Sequence, residues 1–198
     1  MFRSNRMSGL NPVLVLIGVN VVIFLAQLLD QNYAIERAFA LVPFNWLERP
    51  WTLLTYMFLH GSMTHVLFNM VTLYFFATFV IALVGETAFL VTYFAGGVVG
   101  GLMYILFSYI PVPFIQASSL ASVVGASGAV FALGGLLMVM RPNSKVLMFF
   151  VIPMPLWIAI LVGFLIITPG IAWQAHLGGL AYGALVGWYY RRREIRRF

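Results

Sequence analysis

Residues 87–140 contain no Asp, Glu, Lys or Arg, and neither do residues 10–29 or 146–190. Charge-free tracts of that length cannot form the wetted exterior of a soluble domain. They leave hydrocarbon as the solvent for much of the chain. The overall composition agrees: 63% of the 198 residues are hydrophobic and 8% are charged, with a mean hydropathy of +1.00. The sequence therefore describes an integral membrane protein with one domain's worth of chain. The net charge of +6 does not argue for nucleic acid, because no basic face carries it. Most of the excess sits in the final "RRREIRRF", which reads as a cytoplasmic anchor. With no cysteine, disulfides, thiol catalysis and Cys-ligated metals are excluded.

A membrane span needs roughly 20 apolar residues. Six segments meet or approach that length, at about 10–29, 63–83, 88–110, 127–140, 146–167 and 171–190. The expected fold is an all-α, polytopic bundle of six transmembrane helices. The basic start followed by an apolar run resembles a secretory signal. The run is too long and lacks a cleavage site, so an uncleaved first span is expected. An even span count puts both termini on one side. Arg3, Arg6, Arg141, Lys145, Arg191, Arg192, Arg193, Arg196 and Arg197 share that side, leaving Arg37 and Arg49 opposite. The positive-inside rule then predicts an N-in, C-in topology. The expected organisation is a short basic N-terminus (1–9), a six-span core (10–190) and a basic tail (191–198). Residues 30–62, with Phe39, Phe44, Trp46 and Trp51, read as an external interfacial segment. In the third span, Gly96/Gly100 and Gly97/Gly101 are small-xxx-small pairs suited to close helix packing.

The fourth span is too short. A helix from Ser127 to Arg141 covers about 21 Å of a roughly 30 Å hydrocarbon layer. If Arg141 marks the inner surface, Ser127 lies about 9 Å below the outer one, and the preceding loop must dip to meet it. Counting back from Arg191 places His176 about 8 Å deep, at the same level. Spans four and six run in the same direction, and Gly179 and Gly183 smooth one face of span six so that it can approach span four. A serine and a histidine meeting there form a nucleophile and a general base. No carboxylate shares the level, so a dyad is expected rather than a triad. His65 and Asn69 lie four residues apart near the outer end of span two. Their imidazole and amide offer donors for a developing oxyanion, and the Ser127 backbone N–H offers another.

Each feature also has a structural explanation. An intramembrane serine commonly bonds back to its own helix, and three histidines invite comparison with a zinc site. His60 and His65 are five apart, however, and neither H-E-x-x-H spacing nor a carboxylate ligand is present. No metal is expected.

Three motifs together resemble those of the rhomboid intramembrane serine proteases. Gly125-Ala126-Ser127-Gly128 is similar to their G-x-S-G motif, and "AHLGGLAYG" at 175–183 to A-H-x-x-G-x-x-x-G. His60, His65 and Asn69 fit H-x-x-x-x-H-x-x-x-N. The resemblance extends over about residues 10–190. It implies Ser127 as nucleophile, His176 as general base, and His65 and Asn69 as oxyanion donors. It also implies site support from His60, Gly125, Gly128, Gly179 and Gly183, with Phe131 packed on the catalytic imidazole. The family often has a Trp-Arg pair in the first external loop. Here Thr52 follows Trp51, with Arg49 nearby. Pro153 and Pro155 in "IPMPLW" are expected to break the early part of span five. In the family that span and the loop here near "ITPGIAW" are associated with substrate entry and capping.

The implied activity is endopeptidase cleavage of membrane-anchored proteins without any cofactor. It would take place in a bacterial inner membrane, in a site opening to the extracytoplasmic side. The expected partners are transmembrane protein substrates and the lipid bilayer, not nucleic acid, and a monomer would suffice for catalysis. A catalytically silent rhomboid-like protein that binds or escorts membrane proteins is the alternative. A small transporter is a third reading, but the spans lack charged residues along a transverse path.

Overall fold

Asn11 opens the first helix by accepting a hydrogen bond from the Val13 N–H at 2.9 Å. Pro12 takes the first helical position, where a missing N–H is harmless. The helix, α1, runs over Pro12–Leu29. The computed structural model describes residues 11–111, 117–148, 151–167 and 172–195. Arg3, Arg6, Arg196 and Arg197 lie outside them, as do parts of the loops before Ser127 and before Trp173.

After α1 come two short helices, α2 (Ala34–Phe39) and α3 (Thr52–Thr55), with 3-10 turns at Pro43–Asn45 and Tyr56–Phe58. Phe44 and Trp51 are exposed along this segment. Ser62 then caps α4 (Met63–Val84) through the His65 N–H. Gly85, at φ 92°, turns the chain directly into α5 (Glu86–Ser108). Among the described residues, α1, α4 and α5 are long and apolar enough to cross a membrane.

The next helix, α6 (Ser127–Met140), has only 14 residues. It does not need to meet lipid, because residues 128–137 are all buried. It is the central strut of the bundle, in contact with α4, α5, a shorter helix α7 and, most extensively, the last helix α8 (Trp173–Ile195). Gln174, His176 and several glycines dilute the apolar character of α8. It continues without interruption through the arginine-rich stretch to Ile195.

Two expectations about span five need correction. Residues 146–167 do not form one helix, and the fold is not purely α. Strands β1 (Lys145–Met148) and β2 (Ile152–Pro155) pair antiparallel, with Lys145 opposite Pro155 and Met148 opposite Ile152. Only then does α7 (Leu156–Ile167) begin. The cause lies in the prolines: Pro153 and Pro155 lack the N–H a helix interior needs, and their rings clash with the preceding turn. The β-branched Val146 and Ile152 suit extended backbone instead. The start of α7 is pinned by the Leu156 N–H donating to the Ser144 carbonyl at 2.8 Å.

Helices α6 and α8 run parallel. Their N-terminal ends meet at Ser127 and His176. At the other end, Arg141 and Glu194 pair at 2.6 and 2.9 Å. Between these points the backbones nearly touch. A Cβ on Gly179 would collide with the Gly128 carbonyl, one on Gly183 with that of Ala132, and one on Gly187 with that of Leu136. The glycine pairs of α5 divide their work. Gly96 and Gly100 face Ala132 and Ala175, whereas Gly97 and Gly101 face Met57, Leu41 and Tyr56 of the segment between α1 and α4.

Candidate active site

Ser127 is the first residue of α6, so its side chain stands at a helix N-terminus. The turn before it depends on Gly125, whose φ of 129° is closed to most side chains. A Cβ there would also sit 2.8 Å from the His65 ring. The Gly125 N–H donates to the Tyr56 carbonyl at 2.9 Å, fixing the turn to the segment between α1 and α4.

Across the α6–α8 contact, Ser127 Oγ lies 2.7 Å from His176 Nε2. His176 is 1% exposed, so its ring is shielded from bulk water. The ring packs on Phe131, one turn after the serine, with centroids 4.8 Å apart and planes 32° from parallel. Among the described residues, nothing hydrogen-bonds the buried His176 Nδ1. With Nε2 accepting from the serine, the neutral ring carries its proton on Nδ1. An imidazolium formed by taking the serine proton would face the negative face of the Phe131 ring.

His65 lies on the other side of the serine turn, its Cε1 and Nε2 next to Gly125. Its Nδ1 accepts from the Gly61 N–H at 3.4 Å, which places the ring proton on Nε2, facing the turn. The Asn69 side chain is buried and donates from Nδ2 to the His65 carbonyl at 2.9 Å, one turn back on its own helix. Among the described residues, no acceptor takes its second amide hydrogen. His60 is buried beneath His65, with ring centroids 5.1 Å apart in an edge-on arrangement. Its own N–H donates to Gln27 Oε1 at 2.9 Å, which ties it to α1. The three histidines thus have separate settings: His176 on the serine, His65 on the glycine turn, and His60 behind it.

Residues that spacing did not single out hold the serine turn from outside. Leu41 and Val123 form an antiparallel bridge, with N–H to carbonyl distances of 3.1 and 2.8 Å. The Phe44 N–H donates to the Ser119 carbonyl at 2.9 Å. Ser122 Oγ donates to Glu36 Oε1 at 2.8 Å. No local pattern connects partners 86 residues apart, so this last contact is visible only in three dimensions. Thr52, which follows Trp51, donates from Oγ1 to the Arg49 carbonyl at 2.7 Å. Three consecutive carbonyls at the end of α2 each receive a side-chain donor: Arg37 from Arg49 Nη1 at 2.6 Å, Ala38 from Trp51 Nε1 at 3.0 Å, and Phe39 from Thr55 Oγ1 at 2.8 Å. These are the groups a helix end leaves without intrahelical partners.

Chemically, the arrangement offers a hydroxyl in contact with an imidazole nitrogen, and a second imidazole against the turn that carries the hydroxyl. Comparison with known proteins gives the same family as the motifs. A family model described as the Rhomboid domain matches residues 47–193. The chain is 30% identical over 157 residues to "Putative rhomboid protease YdcA" of Bacillus subtilis, an alignment covering 75% of this chain and 71% of that protein. It is 28% identical over 187 residues to "Rhomboid protein 1, mitochondrial" of Saccharomyces cerevisiae, covering 90% of this chain and 53% of the relative. Identity to "RHOMBOID-like protein 12, mitochondrial" of Arabidopsis thaliana is 34% over 165 residues, covering 74% of this chain and 48% of the relative. The chain therefore spans about half the length of the yeast and Arabidopsis proteins.

Proposed function

The chain belongs to the rhomboid family, and from that premise we propose that it is an intramembrane serine endopeptidase working through a Ser127–His176 dyad. The observation that carries this reading is the 2.7 Å contact between Ser127 Oγ and His176 Nε2 at two parallel helix starts. In the proposed reaction, Ser127 Oγ attacks the carbonyl carbon of a substrate peptide bond and passes its proton to His176 Nε2. The His65 Nε2–H, the free Asn69 amide hydrogen and the Ser127 backbone N–H stabilise the oxyanion. Collapse of the tetrahedral intermediate breaks the C–N bond, and His176 gives its proton to the leaving amine. Water then attacks the acyl-enzyme. His176 takes a proton from that water and returns it to Ser127 as the carboxylic acid departs. No step calls on a metal or cofactor.

The substrates in this reading are membrane-anchored proteins. A bond inside an intact helix has its carbonyl occupied and kept dry, so the segment must unwind before attack. Glycine or proline near the cut lowers the cost of unwinding. We further propose six spans with both termini inside. In that topology the short α7 and its preceding hairpin complete span five, and Ser127 opens to the extracytoplasmic side of a bacterial inner membrane. The distribution of arginine and lysine supports this orientation.

The test is reconstitution in liposomes with a single-span reporter, comparing wild type, Ser127→Ala and His176→Ala. Cutting by the wild type alone supports the reading. Equal cutting by Ser127→Ala overturns it. Absence of cutting by folded wild type across several reporters points to a silent, substrate-binding member of the family.

A further inference from the structure

The end of α8 remote from the dyad carries Arg191, Arg192, Arg193 and Glu194, and these residues do two different jobs. Arg191 Nη1 donates to the Val139 carbonyl at 3.0 Å, covering an orphan acceptor at the end of α6. Glu194 gives both carboxylate oxygens to Arg141. Internal structure thus uses Arg141, Arg191 and Glu194. Arg192 and Arg193 are placed differently. The Arg192 guanidinium carbon stands 3.9 Å from the centroid of the Trp188 ring, and that of Arg193 stands 4.5 Å from the centroid of Tyr189. Each pair is spaced i, i+4, so the two stacks lie side by side on α8. Trp188 is 49% exposed and Tyr189 45%, so this face points away from the bundle. Among the described residues, neither arginine has a carboxylate partner.

Stacking uses the face of a guanidinium and leaves its N–H edge free, a fork that fits phosphate oxygens bidentately. Tryptophan and tyrosine at the end of a membrane helix sit at headgroup level. In the six-span topology proposed above, on which this inference rests, the pairing therefore holds two cations without a carboxylate partner among the described residues at the depth of lipid phosphates. We propose that Trp188, Tyr189, Arg192 and Arg193 form a binding site for the headgroup of an anionic phospholipid. The rings set the depth and hold the guanidiniums, and the guanidiniums bind the phosphate. The site is about 24 Å along α8 from His176, so it is separate from the reaction centre.

The test titrates the protein in neutral detergent with dioctanoyl phosphatidylglycerol or dioctanoyl phosphatidylcholine, reading bound lipid by native mass spectrometry. The wild type is expected to prefer phosphatidylglycerol, and Arg192→Gln/Arg193→Gln to weaken that binding about thirtyfold. Arg37→Gln/Lys145→Gln removes the same net charge from exposed residues elsewhere and should keep the preference. Equal binding of the two lipids by the wild type, or equal loss in both double variants, overturns the proposal. If the tail variant does not fold, the salt dependence of the wild type decides: the preference should shrink at high salt, and one that does not change overturns the proposal.

Discussion

Replacing Gly183 with alanine tests the link between helix packing and chemistry. A Cβ at this position would stand 2.6 Å from the Ala132 carbonyl carbon and 2.8 Å from its Cα. Non-bonded carbons meet comfortably at about 3.5–4.0 Å, so α6 and α8 must separate by about 1 Å. The Ser127–His176 distance of 2.7 Å would then lengthen to about 3.5 Å, beyond the reach of a working nucleophile–base pair. Misplacement of this size costs about 100-fold in rate, and overpacking of the interface costs about 1–3 kcal/mol of stability. The assay is reporter cleavage in proteoliposomes, combined with thermal unfolding in detergent. Gly18→Ala serves as the control, because a Cβ there meets nothing within 4 Å. Gly183→Ala should be at least tenfold slower than Gly18→Ala and should melt earlier. Wild-type rate and melting temperature in Gly183→Ala would refute the argument that backbone contact sets the dyad distance.

Other outcomes follow from the segment between α1 and α4 and from the far end of the bundle. Arg49→Ala should remove the donor from the Arg37 carbonyl and cost about 1 kcal/mol. Hydrogen exchange should then quicken across residues 34–58 while α4 and α5 stay protected, and equal protection throughout would count against the bracing role. At the other end, the Arg141 guanidinium holds the Glu194 carboxyl below its ordinary range. This pair's contribution is fully present above the unfolded carboxylate value and is lost as pH falls through the lowered one. Both side chains are about one-third exposed, so the effect is at most about 1 kcal/mol. Glu194→Gln should remove that part of the acid destabilisation in a thermal melt, and an unchanged pH dependence would argue against the pairing.

The long apolar helices α1, α4 and α5 were legible because charge is so costly in hydrocarbon that its absence marks such segments directly. The level shared by Ser127 and His176 could be counted from Arg141 and Arg191 because a helix rises by a fixed increment per residue. The glycines at 179 and 183 marked the face that makes their meeting possible. Partners were less legible. The paired glycines of α5 announced close packing, yet a sequence stripe does not reveal that Gly97 and Gly101 face the segment between α1 and α4 while Gly96 and Gly100 face α6 and α8. The prolines at 153 and 155 signalled a break in span five, but the hairpin depends on pairing between residues 145–148 and 152–155. Backbone-directed contacts left still less trace. The Leu41–Val123 bridge uses no particular side chain, and the capping of the α2 carbonyls by Arg49, Trp51 and Thr55 follows the path of the loop.

Whether Ser127 is a base-activated nucleophile can be measured without knowing a substrate. The membrane-reconstituted protein would be treated with a fluorophosphonate and the modified residue identified by peptide mass spectrometry. A dyad predicts one adduct, on Ser127, formed by the wild type and nearly abolished in His176→Ala. Labelling of Ser127 at the same rate without His176, or labelling of other serines in its place, would contradict it.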